Sequence, residues 1–202
     1  MYALDTTAAK SADSTGFQIK ERGKYIGRFT RAEHIVSERT GTKGIDFDFV
    51  SDSGQRARFS VYTVKSDGTT IYGFKQLMAM MTVLKLRQIL DPVMSMAKVY
   101  DFDQGKEVEK NVPQFAELVN KPIGILITME EYKPGKFRPN LAGVFQAETD
   151  LVASEILERK TAPAQLAKMV AALRDKPLKG GTAPDYSSPD AGHPADDSDI
   201  PF

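Results

Sequence analysis

Basic and aromatic residues are interleaved in several stretches of this sequence. Arg28, Phe29 and Arg31 fall together, and Arg56, Arg58, Phe59 and Tyr62 follow. Tyr72, Phe74 and Lys75 lie just beyond, and Tyr132, Lys133, Lys136, Phe137 and Arg138 flank Pro134-Gly135. Single-stranded nucleic acid calls for both kinds of side chain. Lys and Arg follow the phosphates, while aromatic faces stack on bases at about 1–3 kcal/mol each. The alternative for any one aromatic is core packing, and Phe29, Phe47, Phe49 and Phe59 are assigned there. Tyr62 shares strand parity with Arg56 and Arg58, so it is expected on their exposed face. The candidate DNA-binding set is therefore Arg28, Arg31, Arg56, Arg58, Tyr62, Tyr72, Lys75, Tyr132, Lys133, Lys136 and Arg138.

Other chemistry finds little footing. There is no cysteine, so disulfides, thiolate catalysis and cysteine-ligated metals are excluded. His34 and His193 are far apart and make no ligand pair. Gly41-Thr42-Lys43-Gly44 and Lys179-Gly180-Gly181-Thr182 lack the Gly-x4-Gly-Lys-Ser/Thr spacing of a phosphate loop. Asp46 and Asp48 could hold a cation from one strand face, but a solvated face is the simpler reading, as it is for Asp101 and Asp103. The expectation is a protein without catalysis, metal or cofactor.

The final stretch offers a different chemistry. Asp196, Asp197, Ser198, Asp199, Ile200, Pro201 and Phe202 place two apolar side chains and a proline behind an acidic run. Such a peptide has too little apolar surface to fold alone, so it reads as a peptide for capture. The apolar tip would enter a pocket and the carboxylates would meet basic residues around it. Lys plus Arg and Asp plus Glu both number 27, but residues 181–202 carry five Asp and no Lys or Arg, so the rest holds a net charge of +5. A basic body with an acidic tail suits a nucleic-acid binder.

These residues need elements to position them. Residues 1–16 are small and polar and read as a flexible arm without a signal-peptide core. Extended segments are expected at 17–20 and 24–36. Another spans 45–50, where Ile45, Phe47 and Phe49 alternate with Asp46 and Asp48, and the next is 56–65 after an Asp52-Ser53-Gly54 turn. A helix is expected over 74–86. Residues 87–97 are apolar but interrupted by Pro92, and 98–110 read as a protruding loop or small hairpin about Gly105. One or two helical turns are expected over 113–119. Two strands, 123–132 and 141–146, close a five-stranded body with a middle helix. Helices over 149–159, capped by Thr149 or Asp150, and over 161–174 form a hairpin packed on that body. From residue 177 the chain turns to Gly, Pro, Ser and Asp and reads as a disordered acidic tail. No apolar run approaches the roughly 20 residues of a membrane helix.

The ending resembles the tip of bacterial single-stranded DNA-binding proteins, Asp-Asp-Asp-Ile-Pro-Phe, with Ser198 replacing one Asp. The segment from Gly23-Lys24-Tyr25 through Gly41-Thr42-Lys43-Gly44-Ile45-Asp46-Phe47 to Asp52-Ser53-Gly54 is similar to an N-terminal pattern of phage-encoded members of that class. The resemblance implies a five-stranded Greek-key OB-fold over 17–146, to which the C-terminal helices over 147–176 and the tail over 177–202, read from the residues, are additions. It also implies a place in the cytoplasm of an infected bacterium, with single strands protected during DNA replication or recombination. Asp196, Asp197, Asp199, Ile200, Pro201 and Phe202 would recruit host or phage replication, recombination and repair proteins. The alternative is an adaptor that binds no DNA and uses the same tip to reach those enzymes.

Overall fold

The computed structural model describes residues 18–101 and 106–178. The expectations for the N-terminal arm and, beyond residue 178, for the acidic tail lie outside them, whereas the small hairpin expected about Gly105 is present in a longer form.

Alternating patterns become strands wherever one parity is apolar. In β2 (Lys43–Ser51), Ile45, Phe47 and Phe49 are buried between the less buried Asp46 and Asp48. In β3 (Arg56–Val64), Ala57, Phe59, Val61 and Thr63 point inward while Arg56, Ser60 and Tyr62 are exposed. β1 (Gly23–Val36) pairs antiparallel with β2 and carries a bulge between Phe29 and Arg31. The extra residue switches parity, so Phe29 faces the core and Arg31 faces outward. That bulge explains why neither parity of β1 is wholly apolar. Phe29 meets Phe47 with ring centroids 4.5 Å apart, and Phe49 and Phe59 lie 6.0 and 6.2 Å from it. All four rings are buried, as assigned from the sequence.

β6 (Pro122–Lys133) pairs with the first half of β1 and with β7 (Lys136–Phe145), and β7 packs against β3. The sheet thereby curls toward a barrel-like shape. β6 is buried on both faces from Ile123 to Met129. Ile123, Ile125, Ile127 and Met129 join the phenylalanine core, whereas Leu126 joins Phe145, Val152, Leu166 and Leu173 in a second cluster. The C-terminal segment α3 (Leu166–Ala171) docks on that second cluster, whereas α2 (Ala153–Leu157) packs Ala153 and Ile156 against the first. They are shorter than expected from the sequence. Asp150 sits at φ 62 and holds Lys24 at 2.6 Å, so the chain turns there and α2 starts only after Val152. The fully buried Glu155 accepts the backbone N–H groups of Ala164, Gln165 and Val152 at 2.7, 2.9 and 3.1 Å. Those bonds, Ala164's first, hold its carboxyl below the usual glutamate value. Glu155 thereby caps the turn just ahead of α3, in place of the longer helix expected from the sequence.

The sheet has seven strands rather than the expected five. Segment 87–110 contributes the difference, as β4 (Val93–Asp101) and β5 (Lys106–Gln114) form an antiparallel hairpin. Pro113 therefore lies in a strand opposite Met94, and helical geometry is confined to a 3-10 turn at Ala116–Leu118. Among the described residues, the hairpin joins the remaining sheet at its root, where Gln114 pairs with Glu33 of β1 and the next residue, Phe115, donates its N–H to the Ala32 carbonyl.

Between β3 and β4, α1 (Tyr72–Val83) buries Gly73, Met80 and Val83. It ends earlier than expected because Lys85 turns to φ 56. Gly73 permits a very close approach: a Cβ there would sit 2.0 Å from the Tyr62 carbonyl oxygen, a backbone atom that cannot swing aside. Gly73→Ala is expected to push α1 off β3 and cost about 1–3 kcal/mol in urea unfolding. An unchanged midpoint would mean the helix is free to shift.

Candidate nucleic-acid interface

Strand register assembles one group of basic residues on the outer face of β1, β2 and β3. Arg28, Val50 and Arg56 form a row across the three strands. Arg31, Asp48 and Arg58 form the next, followed by Glu33, Asp46 and Ser60, and then Ile35, Gly44 and Tyr62. Five members of the candidate set thus share a face.

The second row is not free. Arg31 is 2% exposed. Its Nε donates to Asp48 at 2.8 Å, one Nη reaches Asp46 at 2.5 Å and the other donates to Glu33. Arg58 grips Asp48 with two bonds of 2.6 and 3.0 Å. Burial disfavours the Arg31 charge, but the bonds and charges of Asp48 and Asp46 outweigh it and raise its pKa further above the ordinary arginine value. Burial also raises Asp48, yet the bonds from Arg58 and Arg31 win and hold it below the ordinary aspartate value of 3.8. Arg31 was a candidate for a phosphate contact. With its guanidinium enclosed by three carboxylates, it organises this face instead. Asp46 and Asp48 are likewise committed to guanidinium groups and, for Asp46, to the Ser60 hydroxyl at 2.8 Å, which leaves little for a cation. Among the described residues, no three His, Cys, Asp or Glu side chains cluster as metal ligands.

The flanking rows are open. Arg28 is exposed and has no ion pair among the described residues. Arg56 is exposed and meets Glu107 of β5 at 3.2 Å. Tyr62 is 40% exposed, as parity required. Its carbonyl lies under Gly73, so the first turn of α1 continues this end of the face. There Tyr72 is 68% exposed and lines a shallow groove with Lys75.

The last four candidates stand apart, on the β6–β7 hairpin. Lys133 pairs with Lys136 and Glu131 with Phe137, which leaves Tyr132 as the extra residue of a bulge. A bulge re-aims its side chain. Tyr132 is 44% and Phe137 53% exposed, with Lys133, Lys136 and Arg138 also at the surface. The Arg138 guanidinium lies 6.0 Å from the Tyr132 ring and meets Glu130 at 2.9 Å. Glu131 accepts the N–H groups of Gly135 and Leu178, so the described chain ends beside this tip.

Sequence reasoning missed the carboxylates that occupy these arginines. Asp46 and Asp48 announced themselves by alternation, but pairing them with Arg31 required knowledge of the bulge. Glu107 carried no signal, since nothing local ties it to Arg56. No protein family matches this chain, nor does any curated protein. Among the described residues, no helix is long and apolar enough to cross a membrane.

Proposed function

We propose that this protein binds single-stranded DNA without sequence preference and without catalysis. The observation that carries the reading is the division of its aromatic residues. Five phenylalanines are buried in the two clusters, while Tyr62, Tyr72, Tyr132 and Phe137 are exposed on surfaces that also carry Arg28, Arg56, Lys75, Lys133, Lys136 and Arg138. Exposed aromatic faces beside cations provide stacking platforms along a phosphate path. The strand order supports an OB-fold reading: β1, β2 and β3 in a meander, α1 after β3, then β6 on β1 and β7 on β3. In that reading the β4–β5 hairpin is an insertion ahead of the fourth barrel strand. The tip, Asp196 to Phe202, recruits replication, recombination and repair proteins, and the setting is DNA metabolism in a phage-infected bacterium.

A fluorescent oligo(dT) titrated at several salt concentrations tests the binding. With three to five phosphates neutralised, log K against log salt should have a slope of roughly −2 to −3.5, at about −0.7 per phosphate. Failure to bind at low salt, or a salt-insensitive constant, would overturn the reading and leave the adaptor, which needs only the tip.

A further inference from the structure

We propose that the β4–β5 hairpin is a movable second wall of this site, and that the bound strand runs beneath it with a phosphate in the place of Glu107 on Arg56. The inference rests on the single-strand reading above. Its geometry comes from two anchor points. The hairpin's root is held where Gln114 pairs with Glu33 on β1. Glu107 meets Arg56, which projects from the outer face of β3, two strands away. Three inter-strand steps from β5 to β3 span about 14 Å, the four residues between the Ser60 and Arg56 rows add about 14 Å along the strands, and the seven residues from Glu107 to Gln114 span about 24 Å, so β5 covers the diagonal of about 20 Å. The hairpin thus bridges the outer face, and the row between its anchors contains Arg31, Asp48 and Arg58.

Its attachment is light. The far end is held by an exposed ion pair, a contact of small net strength in water. The root carries one flaw: among the described residues, the buried Oε1 of Gln114 has no hydrogen-bond partner, although its Nε2 donates to Ser95 at 2.7 Å. Met94 and Met96 share an exposed face of β4, so nothing among the described residues covers the hairpin on that side. A phosphate carries the same charge sign as Glu107 and can form a forked pair with arginine where Glu107 makes a single contact. Strand binding therefore exchanges one anion for another on Arg56, lifts the wall and returns the half-exposed Glu107 to water.

The chain has no cysteine, so Gln55→Cys/Glu107→Cys gives two unique thiols in the full-length protein and leaves Arg56 in place to bind. A short flexible bismaleimide then fixes the hairpin across the face. Cross-linking after binding to a circular single strand should leave protein on the circle at high salt, and a nuclease cut should release it. Cross-linking before adding the circle should abolish binding. Glu107→Gln, with its competing carboxylate gone, should bind oligo(dT) about two- to fivefold more tightly. Normal low-salt binding without salt-resistant retention would overturn the wall while leaving the function intact. No binding to any single strand at low salt would overturn the function and the wall with it.

Discussion

Asp48→Asn is expected to destabilise the protein by about 3 kcal/mol, because it withdraws the carboxylate that both Arg31 and Arg58 use. What is lost is the set of charge-assisted bonds from Arg31 and Arg58 to Asp48, each worth about 1.5–3 kcal/mol, while Glu33 and Asp46 still balance the two guanidinium charges. The loss therefore falls at the low end of the range for buried pairs. Urea unfolding at neutral pH measures it, and a change below about 1 kcal/mol would mean the network is no more than a surface arrangement. The same variant changes the acid limb. Asp48 has a folded pKa below its unfolded value, so its stabilisation is fully present above about pH 4 and is lost as pH falls through the folded value. Asp48→Asn should therefore flatten that part of the stability profile. Binding should move the opposite way, because Arg58 loses its competing acceptor and becomes free for a phosphate.

The contrast between Asp48 and the core phenylalanines shows where sequence suffices. Phe47, Phe49 and Phe59 alternate with polar residues, and period two fixes their direction once the strand is recognised. Tyr62 followed from the same rule. β1 resisted it because a bulge between Phe29 and Arg31 changes parity mid-strand, and a bulge is decided by pairing rather than by local composition. The short α2 and α3 were read too long for a similar reason. Their apolar spacing is helical, but Glu155 captures the amides of Ala164 and Gln165 from a distance, which no local pattern reveals. Residues 87–110 carry mixed polarity, and their pairing as β4 and β5 depends on each other more than on the core. In the candidate site, residue types marked the basic residues, but which of them are free depends on long-range carboxylates. Arg56 meets Glu107 across 51 positions of chain.

Replacing both Tyr132 and Phe137 by Ala is expected to weaken single-strand binding by about 2–6 kcal/mol if each ring stacks on one base. The rings are neighbours on one hairpin, so the effects need not add, and a loss of at least about 30-fold is the firm expectation. Stability should hardly change. Both side chains stand at the surface, and the hairpin backbone is secured elsewhere: by the β6–β7 ladder, by Glu131 on Gly135 and by the parallel bridge between Glu130 and Lys176. The Arg138 contact with Tyr132 is long and exposed, and its removal should cost no more than about 0.5–1 kcal/mol. Tyr62→Ala provides the comparison on the other surface, at about 1–3 kcal/mol for a single stacked base. Loss from both variants would place one strand across the outer face and the β6–β7 tip together. Loss from Tyr62→Ala alone would confine the strand to the outer face and assign the tip to a protein partner. Chemical unfolding of each variant beside the oligonucleotide titration separates these outcomes from a damaged fold.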